Sequence, residues 1–142
     1  MPILNARDQE AVRNEFQRIQ GPVKLVVFSQ ELVAADLCRQ NEQLVREVAA
    51  LDDRISVEVL NPAIDRERTE AYGVDQVPAI VVEGARDYGI RFFGIPSGYE
   101  FSNLIDSIIV ASSGEPALSE ATMSTLAALT DDVHIKVFST PT

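Results

Sequence analysis

The sequence predicts an α/β domain: a four-stranded mixed sheet flanked by helices. Three observations predict it. Val23-Lys24-Leu25-Val26-Val27-Phe28 is apolar at all but one position, the pattern of a strand covered on both faces. Helical and strand periodicities follow one another over residues 1–113 in the order helix, strand, helix, strand, helix, strand, strand, helix. In the middle of the chain, Ala71-Tyr72-Gly73-Val74-Asp75-Gln76-Val77-Pro78 stops a helix at a glycine and places a proline directly before the apolar run 79–82. A proline has no N–H for a ladder, so it opens a strand here and does not lie inside one. X-Pro is also the bond at which a cis peptide is cheap, and we expect Val77-Pro78 to be cis.

Asn5 can cap a first helix whose apolar positions are Val12, Phe16 and Ile19, and Gly21-Pro22 ends it. After the central strand at 23–28, the stripe Ala34, Leu37, Cys38, Leu44, Val45, Val48 and Leu51 predicts an amphipathic helix over 31–51, which buries Cys38. Residues 55–60 alternate and read as a strand nearer the sheet edge, broken by Asn61-Pro62. A short helix over 65–72 ends at Gly73. Strands 79–83 and 88–93, joined at Glu83-Gly84, form a hairpin. Ser97-Gly98-Tyr99-Glu100 has the capping-box pattern and opens a helix with Phe101, Leu104, Ile105, Ile108 and Ile109 inward. A right-handed β-α-β crossover followed by a β-β-α half, with strand 79–83 antiparallel to the first, gives the mixed sheet with helices on both faces.

One segment recurs. Val23-Lys24-Leu25-Val26-Val27-Phe28-Ser29 returns as Val133-His134-Ile135-Lys136-Val137-Phe138-Ser139, again after a helical stretch, here 119–129. We therefore expect one complete unit at 1–113, then a linker and the first helix and strand of a truncated second unit at 114–142. A free apolar strand needs a partner. Adding to the edge of its own sheet, with His134 and Lys136 on the more exposed face, is expected ahead of a dimer formed through 133–139, because association between chains costs additional entropy.

Composition removes several functions. A net charge of −10, from 22 acidic and 12 basic residues without a basic cluster, argues against nucleic acid or an anionic membrane as partner. No stretch has the length of a membrane span, and Met1-Pro2-Ile3-Leu4-Asn5 lacks signal-peptide character, so a cytoplasmic protein is expected. One cysteine, Cys38, excludes an intrachain disulfide and a cysteine-based metal site. One histidine, His134, leaves no catalytic triad and no ordinary zinc site. No metal and no cofactor are expected. Glu31, Asp36, Asp52 and Asp53 are spread around a helix and read as solvated rather than as a carboxylate pair or a cation site.

Gly73-Val74-Asp75-Gln76-Val77-Pro78 resembles the Gly-Val-x-x-Val-Pro segment before the third strand of the thioredoxin fold. Asp87-Tyr88-Gly89-Ile90-Arg91-Phe92-Phe93-Gly94-Ile95-Pro96-Ser97-Gly98-Tyr99-Glu100-Phe101 resembles the hairpin-to-helix segment of the glutaredoxin-like protein disulfide oxidoreductases. Those proteins carry two such units in tandem, as does the N-terminal domain of the flavoprotein subunit of alkyl hydroperoxide reductase. The tandem would explain the recurring strand. The resemblance implies a Cys-x-x-Cys at the start of the helix after the first strand, where this chain has Ala35-Asp36-Leu37-Cys38. In that chemistry the first thiol attacks and the second resolves the mixed disulfide, so with Ala35 in the attacking place dithiol exchange within the chain is lost. Cys38 then reads either as a small core residue or as a remnant monothiol. The resemblance also implies that the backbone at Val77, before Pro78, pairs with an extended partner segment. The function expected is a non-catalytic scaffold or docking unit of a thiol-disulfide redox protein, with a thiol or disulfide protein as partner. The alternatives are an active monothiol oxidoreductase using Cys38 and a stand-alone peptide-binding module.

Overall fold

A computed structural model describes residues 1–140. Its elements are α1 (Ala6–Phe16), β1 (Val23–Phe28), α2 (Ala35–Ala49), β2 (Ile55–Leu60), α3 (Arg66–Ala71), β3 (Ala79–Glu83), β4 (Asp87–Phe93), α4 (Tyr99–Ser113) and α5 (Glu120–Ala127). Asn5 caps α1, its Oδ1 accepting from the Asp8 amide at 2.9 Å. α1 ends at Phe16, and Ile19 is buried in the turn beyond it.

The sheet order is β2-β1-β3-β4. β1 pairs parallel with β2, Val23 opposite Ile55 and Phe28 opposite Leu60. It pairs antiparallel with β3, Phe28 opposite Ala79, and β4 returns beside β3. A parallel pair needs a crossover, which α2 supplies, whereas the antiparallel pair β3–β4 closes through a short turn.

Helices α1, α2 and α4 cover one face. Val12, Phe16, Val45, Val48, Leu104 and Ile108 pack there against Leu25, Val27, Ile80 and Val82. Each such side chain contributes about 1.5–3 kcal/mol by leaving water. The other face holds a smaller cluster of Val26, Phe28, Leu60, Val74, Ala79 and Val81, flanked by Tyr72 and Val77. The Phe28 and Tyr72 rings meet edge-on at 5.8 Å. Charge completes this side. Lys24 Nζ lies 3.0 Å from Glu83 and 3.4 Å from Glu58, and Glu58 also accepts from Arg68, at 3.0 Å for Nη2. The Arg68 guanidinium, aided by Lys24, holds the Glu58 carboxyl down at about 2. This clasp ties α3, a helix without a side-chain cap, to the sheet.

The C-terminal end of α4 is seated against backbone. A Cβ at Gly84 would lie 1.8 Å from the Ala111 carbonyl oxygen, and one at Gly21 would lie 2.8 Å from that of Ser112. Ser112 Oγ accepts from the Gln20 amide at 3.1 Å. Gly114, at φ 72°, ends the helix, its amide donating to the Val110 carbonyl at 2.8 Å.

Three expectations are corrected. The strand at 133–139 does not form, on its own sheet or elsewhere among the described residues, and both faces of that segment are exposed. Docking it would require ordering the preceding connection, and α5, which buries no residue, provides no burial to offset that entropy. α2 begins at Ala35 and not at 31: residues 31–34 are bends, Ala34 adopts φ 52°, and Leu37 is half-exposed, turned off the buried stripe. The capping box at 97–100 is not made, because the N-cap is Gly98 at φ 59°, one residue later than the pattern places it. Glu100 donates its amide to the Ser97 carbonyl at 3.2 Å. Pro141 and Thr142, the end of the stretch expected to begin a second unit, lie outside the described residues.

Candidate functional site

The pairing Leu60–Phe28–Ala79–Phe93 runs straight across the sheet at one end. The loops 29–34, 61–65, 72–78 and 94–98 all leave from that row, so sequence-distant residues gather there by topology alone. The Val77-Pro78 peptide is cis. Pro78 is buried, Val77 is half-buried, and the Pro78 carbonyl accepts from the Gly94 amide at 2.9 Å. Arg91 donates from Nε to the Tyr72 carbonyl at 3.1 Å and pairs with Asp87 at 2.6 Å, bracing the 72–78 loop against β4. The Arg91 guanidinium holds the Asp87 carboxyl below the usual carboxylate range.

Cys38 sits in the first turn of α2 and is fully buried. Its Sγ donates to the Val33 carbonyl across 3.8 Å. Ala35 opens the helix with a methyl group, and no side chain caps the helix start. Arg39 bridges Glu31 at 2.7 Å and Asp36, clamping the 31–34 loop onto the helix above Cys38. One turn along the same inward face, Asn41 is fully buried and neither its Oδ1 nor its Nδ2 finds a hydrogen-bond partner among the described residues. Leaving such an amide unpaired costs on the order of 1–3 kcal/mol.

Of the residues the sequence singled out, Cys38, Val77 and Pro78 therefore share one end of the sheet, with Cys38 sealed under the loop. Glu31 and Asp36 face Arg39. Asp52 is bound by Arg54 at 2.6 Å, and Arg54 in turn reaches the carbonyls of Phe16 and Ile19. His134 is exposed, far from forming any constellation. Sequence reasoning missed the apolar ring at this end: Leu32, Val33, Leu37, Ile64, Phe93 and Tyr99 are all exposed, Leu32 at 85 % and Tyr99 at 84 %. A signal was present in Leu32-Val33, an apolar pair standing just ahead of a helix where a polar cap is the usual choice. Chemically, a single buried thiol cannot close an intrachain disulfide, whereas exposed apolar residues gathered at one end of a sheet are the kind of surface that holds another chain.

No family model matches the sequence. A curated NADH dehydrogenase from Bacillus subtilis (strain 168) is 24% identical over 136 residues, which is 96% of this chain and 24% of that protein. The chain thus spans about a quarter of the length of that relative. Among solved structures, the alkylhydroperoxide reductase protein AhpF of Enterococcus faecalis superposes with a TM-score of 0.79 at 23% identity, over 89% of this chain and 61% of that one. A protein disulfide oxidoreductase from Aeropyrum pernix superposes with a TM-score of 0.76 at 21% identity, over 91% and 56%. Sheet order, the cis proline ahead of β3 and these superpositions agree: the chain has the thioredoxin fold.

Proposed function

We propose that this chain is a docking unit of a thiol-disulfide redox protein, one that has lost its own dithiol and presents a partner protein to a redox centre held elsewhere. The observation that carries this reading is the state of the one thiol, since Cys38 is fully buried; the resemblance adds that Ala35 stands where the attacking cysteine would be. The exposed apolar residues at the same end of the sheet as Val77 and Pro78 supply the surface, on which an extended partner segment would lie beside the Val77 backbone. Residues 114–140 are read as the opening of a second unit of the same fold. The recurrence of 23–29 at 133–139 supports this, as do the longer solved relatives. When nothing else covers it, the 133–139 segment has a second copy of the chain as its remaining partner. The protein works in the cytoplasm in this reading, where a lone thiol stays reduced.

The test is thiol labelling of the native protein beside an insulin-reduction assay with dithiothreitol. Labelling of Cys38 is expected only at the rate of unfolding, with insulin turnover at background. Rapid native labelling, together with turnover abolished by Cys38→Ser, would establish the monothiol enzyme instead.

A further inference from the structure

We propose that the trough between α1, α2 and α4 receives a cationic amphipathic helix from a partner protein. It borders the proline end through the 94–98 loop, whose Ile95, Pro96, Ser97 and Gly98 line it, but none of Cys38, Val77 and Pro78 does. The trough is open to solvent along one side and offers about 940 Å³, within the range of ligand-binding clefts. Val12, Leu44 and Ile105 form its apolar floor, and Ile95 and Phe101 its half-buried flank. Its fourth wall is the N-terminal strap. Glu47 accepts from the Ile3 and Leu4 amides at 2.9 and 2.8 Å, and Gln43 reaches the Met1 carbonyl at 2.7 Å, so this wall is tied to α2. Burial works against the Glu47 charge, yet the two amides hold its carboxyl below the usual range, as expected of a clasp that stays ionised.

Charge selects the occupant. Three carboxylates line the trough, Asp8 and Glu15 from α1 and Asp106 from α4, and among the described residues no Lys, Arg or His lines it. Glu15 is shared with Arg18 at 2.9 Å, while Asp106 meets no cation among the described residues. An apolar floor under an acidic rim complements a helix with an apolar stripe and lysines or arginines along its edges, the helix-in-groove mode of recognition. The chain's own exposed helix does not fit, because α5 and its flanks carry Glu115, Glu120, Asp131 and Asp132. A second copy is disfavoured by the net charge of −10. Exposed rim charges act more on partner choice and encounter than on affinity, so the floor provides the hold and the rim the selectivity.

The probe is a synthetic helical peptide of about four turns with leucines on one face and lysines on the other, labelled for fluorescence anisotropy. A glutamate-for-lysine version is the control. Saturable binding of the lysine peptide is expected in the range of about 10–100 μM at low salt, with none for the glutamate peptide. Asp8→Asn with Asp106→Asn should weaken binding about fivefold, whereas neutralising as many charges on α3, by Glu67→Gln with Glu70→Gln, should leave it unchanged. Ser102→Trp, which fills the trough from an exposed lining position, should abolish binding in a protein whose circular dichroism is unaltered. The proposal is overturned if the lysine peptide does not bind, if the glutamate peptide binds as well, if the α3 pair weakens binding as much as the rim pair, or if Ser102→Trp binds normally.

Discussion

Val23-Lys24-Leu25-Val26-Val27-Phe28-Ser29 runs through the middle of the sheet, while Val133-His134-Ile135-Lys136-Val137-Phe138-Ser139, with the same valines at its first and fifth positions and the same Phe-Ser ending, is exposed chain. Phe28 has no accessible surface and Phe138 is 90 % exposed. Local sequence separates them only in part, Lys136 standing where the first copy buries Val26. What differs is the company: β1 has β2 and β3 on its two sides, α2 over one face and the Tyr72 region over the other. Even its single charge is provided for, because Lys24 meets Glu58 and Glu83, whereas His134 in the same place meets nothing acidic among the described residues. A strand is thus in large part a property of its neighbours, and the matched valine and phenylalanine side chains become core or surface according to whether those neighbours are present.

Hydrogen exchange gives the largest contrast. The amides of Leu25, Val26 and Val27 should exchange only through global opening, at least about a thousandfold slower than those of 133–139, which should exchange near the free-peptide rate. Protection of 133–139 in dilute protein would break the comparison. Truncation of the matched rings comes next. Phe28→Ala should cost about 3–5 kcal/mol in urea unfolding, and Phe138→Ala should stay within about 0.5 kcal/mol of the parent. Equal effects would show that the second segment is packed. The smallest effect sharpens the role of charge around Lys24. The Glu58 carboxyl ionises at about 2 when folded against an ordinary 4.5, so the unfolded chain takes up that proton first. Its stabilisation is complete above pH 4.5 and is lost as the pH falls toward 2. Because Glu58 is partly exposed, solvent screening reduces the contribution to about 1 kcal/mol. Acid titration of the unfolding free energy should show this loss, and Glu58→Gln should remove it. An unchanged acid limb in that variant would mean the clasp contributes nothing.

What the sequence made legible follows from strong, local signals. The buried run at 23–28, the alternation at 55–60, the Asn5 cap and the glycine-to-proline passage at 73–78 each settle an element through one dominant effect, and each is found as read. The misreadings lie where local signals are indifferent to the fold. Ser97 and Glu100 carry the right side chains for a capping box, but the backbone turns at Gly98 and shifts the cap by one residue. Leu37 has the spacing of the buried stripe, and the late start of α2 turns it outward. At the candidate site, Cys38, Val77 and Pro78 could be named from the chain, whereas the apolar ring could not, because Leu32, Ile64, Phe93 and Tyr99 come from loops and termini that only the sheet topology brings to one end. The acidic trough was hidden for the same reason, its carboxylates lying on α1 and α4, which are remote in sequence.

The seat of α4 on Gly21 and Gly84 has a mechanical consequence. With its last turn held against backbone that no side chain can cushion, and with Ser112 bonded to Gln20, the helix end is a mount rather than a hinge. Torque that reaches the last turn of α4 would be delivered to the entry of β1 and to the β3–β4 turn, where the mount meets backbone. A load on the downstream chain would then be felt along the central strand, whose far end carries the row of residues that borders the proline loop.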